Sequence, residues 1–421
     1  MSVDVNIFLF AVAGIIAIGF VADLFFAKTK IPDMLWLMLI GVILGPAAAY
    51  FGYPTISRGV LFSIAPVFSA IALMIILFES GLYIDLFKLL RASLKATQVM
   101  LTNVVFSIAV VAILAKIILN LGTIESILLG AILSGTSSAI VTSTINRTKV
   151  SDKTKVILNL ESIVTDPLVI IIALVLIDAI VKSAQVASIG FITSSVLKIF
   201  AASLLIGIMG GFFWSNILPK IQKYKYHHML TLAYLFVMYI IGETIGGSGA
   251  IVAFSVGLML GNTHHIMKMF QLKKKIIGLT KETKDFNAYI TFFIRTFFYV
   301  FLGLLISFER PMMFLFGILL SIALLYARKY GIKLTVKDGF SPKEKALMTY
   351  LYPRGLAAAI MSTLPFVQYG IAAAQPFVDI GFAVILSTAV ISTIGIARTE
   401  RTLDKRMRYE ILEPNQISEK Y

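Results

Sequence analysis

Two carboxylates, Glu161 and Asp166, lie in the stretch LESIVTDPLVII (residues 160–171), inside a run that is largely apolar from about Val156 to Ile177. A run of that length spans the hydrocarbon of a bilayer at ~1.5 Å rise per residue. An ionised carboxylate near its middle costs about 2.5 kcal/mol or more unless it is paired or hydrated. Asp166 falls roughly 17 Å along the helix from Lys155, about half of the ~30 Å hydrocarbon thickness. A carboxylate at that depth can bind either a proton or a cation, which is the chemistry of ion movement; the alternative is a structural ion pair. Glu161 and Asp166 are five residues apart, roughly 140° around a helix at about 100° per residue, so they face different ways and are expected to do different work.

Two further stretches combine hydroxyls, glycine or proline with membrane-length hydrophobicity. One is Ser134-Gly135-Thr136-Ser137-Ser138-Ala139-Ile140-Val141-Thr142-Ser143-Thr144, and the other is Tyr352-Pro353-Arg354-Gly355-Leu356-Ala357-Ala358. Small residues in mid-membrane can simply pack helix on helix. Their placement argues for more. One precedes the Glu161/Asp166 helix and the other precedes the last span, as two related halves of a transporter would have it. Interrupted helices in corresponding positions are where such proteins place their substrate, with half-helix dipoles and unwound carbonyls at the midplane.

Apolar length and breakers divide the chain into about thirteen helices that position these groups. The spans are 6–27, 32–50, 59–82, 93–119, 123–145, 154–181, 188–217, 227–244, 246–263, 287–308, 311–328, 344–364 and 377–397. One set of loops then collects Lys28/Lys30, Lys88/Arg91/Lys95, Arg147/Lys149/Lys153/Lys155, Lys220/Lys223/Lys225, Lys273–Lys275 and Lys329–Lys345, followed by Arg398–Arg408. The other set holds little beyond Arg58, Lys116, Lys182, Lys198 and Arg310. By the positive-inside rule the N-terminus is outside and the C-terminus cytoplasmic. Residues 1–397 form one transmembrane domain, and 398–421 a short basic cytoplasmic tail. The segment Met267–Asp285 is too charged to span and reads as an interfacial helix.

The composition, 58% hydrophobic and 14% charged, fits a polytopic membrane protein, since soluble domains are about a quarter charged. The net charge of +15 resides in short loops, so it marks membrane topology and not a nucleic-acid groove. Without cysteine there is no disulfide or thiol chemistry. The histidines, His227/His228 and His264/His265, are adjacent pairs at helix ends, where a converging metal site is not expected. No HExxH, Gly-x-Ser-x-Gly or TVGYG-like stretch points to an intramembrane enzyme or a channel.

In order along the chain come KIPDMLWLMLIGVILGP (Lys30–Pro46), Phe78-Glu79-Ser80-Gly81-Leu82, Glu243 with Gly247–Ala250 and Gly257–Asn262, Phe297–Gly303, Ala327-Arg328, and Pro353-Arg354-Gly355. Together they resemble the monovalent cation/proton antiporters, which exchange Na⁺ or K⁺ for H⁺. The electroneutral branch has E-x-x-x-N-D on its sixth helix. Here Glu161-Ser162-Ile163-Val164-Thr165-Asp166 puts Asp166 at the cation- and proton-binding position, with Thr165 in place of asparagine. The Thr-Asp-Pro of the electrogenic branch becomes Thr136-Ser137-Ser138, more like the potassium-efflux relatives.

The resemblance implies an all-α inverted-repeat fold with two discontinuous helices, a homodimer, and no cofactor. It gives Glu161 an arginine partner, Arg328, with Arg354 as the rival. Arg295 lies near the tenth-helix position where the electrogenic branch has lysine. The expected reaction is electroneutral 1:1 exchange of Na⁺, K⁺ or Li⁺ against H⁺ by competition for Asp166. Thr136, Ser137, Ser162 and Thr165 are the expected additional cation ligands, and Glu161 is expected to be a structural brace. A sodium-coupled symporter of an organic anion on the same fold is the alternative. Membrane lipids are expected partners of the basic face.

Overall fold

Proline and glycine set the ends and breaks of the helices in the computed structural model. It describes residues 13–412 except 15, 23, 26–27, 29–31, 53–57, 87–93, 149, 184–188, 270–280, 307–308 and 337–338. Lys30, Lys88, Arg91, Lys149, Lys273–Lys275, Lys337 and the end of the tail therefore lie outside the described residues. Every regular element among the described residues is helical.

Residues 16–22 are helical and precede α1, Asp33–Tyr50. Within α1 the segment Ile43–Ala47 widens to a π turn around Pro46, which has no N–H to keep the α register. Then follow α2 (Arg58–Tyr83), α3 (Leu94–Ile118), α4 (Thr123–Ile132), α5 (Ser138–Ile145), α6 (Asp152–Ser183) and α7 (Ile189–Ile221). The rest are α8 (His227–Thr244), α9 (Gly249–Met269), α10 (Lys281–Leu305), α11 (Pro311–Thr335), α12 (Pro342–Tyr350), α13 (Leu356–Val367) and α14 (Phe377–Leu412). Eight described helices are long and apolar enough to cross a membrane. Each expected span from residue 32 onward has a helical counterpart, and the two spans with interrupted sequences are split, α4/α5 and α12/α13. Helix α14 continues unbroken past residue 398, and the ends of 267–285 belong to α9 and α10.

The helices group into two bundles. In the first, α9 packs along α2 and α7, α8 leans on α9, and α10 lies along α1. Backbones meet closely there because glycine allows it: a Cβ on Gly303 of α10 would stand 2.8 Å from the Cα of Gly41 on α1. In the second, α3 contacts α4, α6 and α11, while α14 packs on α11, α12 and α13. Facing elements across the gap are α2 and α10 on one side and α6 and α13 on the other.

At the face where the basic loops emerge, α12 starts with a capping box. Ser341 accepts from the Glu344 N–H at 3.3 Å, and Glu344 accepts from the Ser341 N–H at 2.8 Å. The same carboxylate accepts from Ser151 and, at 2.9 Å, from the Thr154 hydroxyl at the start of α6. It thus fastens the α6 and α12 starts together.

Candidate functional site

Asp166 sits midway along α6, one residue before Pro167. Its Oδ2 accepts twice from Ser138, from the hydroxyl at 3.0 Å and the backbone N–H at 3.3 Å. Ser138 is the first residue of α5, so the carboxylate faces a helix N-terminus, the end that favours negative charge. Gly135, just before α5, lets the chain lie close against α6. A Cβ there would fall 2.8 Å from Val169 Cγ2 and 3.6 Å from Asp166 Oδ1.

The unwound segment between α4 and α5 crosses the one between α12 and α13. Ser137 donates its N–H to the Pro353 carbonyl at 2.8 Å. Gly355 keeps the second segment against the first, since a Cβ on it would stand 2.6 Å from Ser137 Oγ. Arg354, fully buried, closes the crossing. Its Nη1 donates to the carbonyls of Ser134 at 2.8 Å and Gly135 at 2.7 Å, at the C-terminal end of α4. Cations suit that end of a helix. A guanidinium thus takes the carbonyls that unwinding exposes, and Arg354 does not pair with Glu161.

Glu161 pairs with Arg328 instead. The two terminal nitrogens of Arg328 reach the two carboxylate oxygens at 2.5 and 2.9 Å, and each residue is 1% exposed. Arg328 Nε donates to the Met348 carbonyl at 2.6 Å, tying α11 to α12 as well. A bidentate fork of this kind is the strongest geometry an ion pair has.

The expected hydroxyl ligands divide. Of the four, only Ser137 lines a cavity with Asp166, next to Ser138, which is not among the expected ligands. Thr136 and Thr165 are buried against one another, hydroxyl to hydroxyl at 3.2 Å, and the Thr165 hydroxyl also accepts from the Thr136 N–H at 3.3 Å. Ser162 donates back to the Asn159 carbonyl at 3.2 Å. These three stand behind the cavity wall.

The cavity holds about 590 Å³ between the bundles, walled by α2 and α10 on one side and by α5, α6 and α13 on the other. It reaches Tyr83, Ser143 and Ala288, at the helix ends of the basic face. At the opposite face the gap shrinks to a void of about 80 Å³ lined by Phe62, Arg310, Phe366 and Asp379. There the rings of Phe62 and Phe366 meet edge to face at 5.9 Å, and Arg310 lies 3.9 Å from Asp379. Among the described residues, Asp166 thus lies on a cavity that extends toward the basic face.

Across the cavity from Asp166 stand Glu79, Tyr299 and Arg295. Glu79 accepts from the Thr291 hydroxyl, and Arg295 is bridged to Asp33 at 2.9 Å. The carboxylate of Glu79 betrays itself in sequence as Glu161 does, as an acid within an apolar span. Asp33 does not, because an acid just after Pro32 looks like an ordinary first-turn residue. Ser138 is hidden among equivalent hydroxyls, and only the start of α5 singles it out. His227 is buried between the Tyr224 carbonyl and the Thr283 hydroxyl, and no metal-binding cluster occurs among the described residues.

Residues 12–400 match the family described as "Sodium/hydrogen exchanger, transmembrane". The chain is similar to the K⁺/H⁺ antiporter NhaP2 of Shewanella sp. (strain ANA-3), 23% identical over 384 residues, covering 89% of this chain and 63% of that one. The chain thus spans somewhat less than two thirds of that relative's length. It also resembles the low-affinity Na⁺/H⁺ antiporter NhaS1 of Synechocystis sp., 24% identical over 307 residues, 69% of this chain and 57% of that one. Among solved structures, the sodium proton antiporter MjNhaP1 from Methanocaldococcus jannaschii at pH 8 superposes with a TM-score of 0.73 at 20% identity, covering 93% of this chain and 96% of that one. At that identity the likeness is one of fold.

Proposed function

The chain belongs to the sodium/hydrogen exchanger family, and from that premise we propose that it exchanges Na⁺ or K⁺ for H⁺ across the membrane at Asp166. The observation that carries this reading is a carboxylate on a cavity that extends toward the basic face, held by Ser138 beside the crossing of two unwound segments. Protonated, such a carboxylate is neutral and has little attraction for a cation. Ionised, it coordinates one with neighbouring hydroxyl and carbonyl oxygens. Ser137 and Ser138 are the nearest candidates; Thr136, Ser162 and Thr165 support the wall and would join after small rearrangements.

Proton and cation exclude one another at a single titrating group, so one H⁺ moves per cation and the cycle carries no net charge. The alternating step is a rocking of the α3–α6/α11–α14 bundle against the other. The basic loops supply the orientation: the cavity opens to the cytoplasm, with the N-terminus outside and the C-terminus inside. Glu161 and Arg328 brace the moving bundle. The resemblance further implies a homodimer, which light scattering in detergent would test.

The deciding experiment is dissipation of a preset pH gradient in proteoliposomes on adding LiCl, NaCl, KCl or RbCl. Collapse with at least one of these and not with choline chloride is expected. A gradient indifferent to all four would overturn the proposal.

A further inference from the structure

A second cavity, of about 650 Å³, lies outside the transport path between α11 and α12 at the basic face. Lys329 and Lys333, one helical turn apart on α11, and Lys345 on α12 line it together with Tyr326, Thr349 and Tyr350. Its floor is apolar, built from Leu325, Ile332 and Val336. Three lysines thus line a groove that also has an apolar wall.

The depth of the groove selects its occupant. At 1.5 Å per residue, Lys333 and Lys329 lie roughly 3 and 9 Å before the end of α11 at Thr335, near enough to it for their flexible side chains to reach a headgroup layer. Leu325 and Tyr326 lie deeper, at the level of the first acyl carbons. Along the same helix Leu315, Leu319 and Ile322 are exposed, a surface suited to lipid chains. Arg328, between Tyr326 and Lys329 in sequence, turns inward to Glu161, while Lys329 and Lys333 are exposed.

We propose that this groove binds the headgroup of an anionic glycerophospholipid, its phosphodiester held by Lys329, Lys333 and Lys345 and its proximal chain laid on Leu325. Basic pockets between membrane helices at the positive face are suited to such headgroups, each nearby lysine adding attraction. The site requires only that the chain sits in a membrane and is independent of the antiport reading.

The test uses the full chain purified in a neutral detergent. Titration with phosphatidylglycerol should raise the melting temperature, whereas phosphatidylcholine should not. The Lys329→Gln/Lys333→Gln/Lys345→Gln variant should need about ten-fold or more phosphatidylglycerol for the same rise. The corresponding triple Arg variant should behave as the unmodified chain, and Lys220→Gln/Lys223→Gln/Lys225→Gln at another basic loop should not weaken binding. Unchanged phosphatidylglycerol response in the groove variant overturns the site. So does an equal rise with millimolar inorganic phosphate, which would make the groove a free-anion site. If the groove variant does not fold, a photoreactive phosphatidylglycerol on the unmodified chain decides: labelling within residues 325–350 supports the site, and labelling confined elsewhere overturns it.

Discussion

Arg328 and Glu161, 167 positions apart in the chain, meet as a bidentate pair with both side chains withdrawn from solvent. Removing one partner strands the other charge in a low-dielectric interior, at a cost of ~3–5 kcal/mol. Glu161→Ala and Arg328→Ala should each lower the melting temperature in detergent, and the double variant should be no less stable than the worse single one. Strictly additive losses would mean that the two residues act independently.

Asp166→Asn preserves the shape of the proposed carrier but removes its titratable charge. Cation-induced proton movement should fall to a few per cent of the unmodified chain while the melting temperature stays within a few degrees. Exchange at half the original rate would require a different carrier, and Glu79 on the facing wall would be the first to examine.

Positions 137 and 165, where a second acid would make the cycle electrogenic, are serine and threonine. Na⁺/H⁺ exchange in proteoliposomes clamped with K⁺ and valinomycin should therefore be independent of voltage. A rate that climbs several-fold with imposed potential would reveal another titrating group.

Ser138→Ala removes one of the two hydrogen bonds to Asp166 and one oxygen from the cavity wall. The backbone N–H of residue 138 remains. The KM for the cation should rise several-fold, with a smaller change in maximal rate. Thr165→Val, on a residue behind the wall, should cost stability more than cation affinity. The two effects reversed would move the ligand set to the Thr136/Thr165 side.

Arg354→Gln deprives the end of α4 of a charged donor to two carbonyls. Such bonds to ionised groups contribute about 1.5–3 kcal/mol each, so a marked fall in melting temperature is expected. Combining it with Glu161→Ala should give less thermal coupling than the Glu161/Arg328 cycle. Equal coupling in the two cycles would mean that both arginines share the brace.

Much of this arrangement is legible from residue types. An acid in an apolar run demands compensation, so Glu161 and Asp166 announce themselves, and proline with glycine marks where α12 must stop. What composition and spacing cannot supply is the identity of long-range partners. Arg354 binds backbone carbonyls, which carry no residue signature, and Arg295 finds Asp33 across 262 positions at the head of another helix. Among the clustered hydroxyls, Thr136, Ser137 and Ser138 are chemically alike. Only the pitch of α5 decides which of them meets Asp166.

A water-filled cavity extending from the basic face to Asp166 would also shape how a membrane's electric field is distributed. At about 590 Å³ it is roomy enough for water, which conducts the potential of its own compartment almost to Asp166. A voltage across the membrane would then fall mainly over the packed side chains between Asp166 and the Phe62/Phe366 contact. A bare charge crossing that layer would meet about 2.3 kcal/mol per 100 mV, whereas a carboxylate neutralised by a proton or a monovalent cation would not. In the proposed mechanism, the seal would therefore favour traffic in neutral complexes.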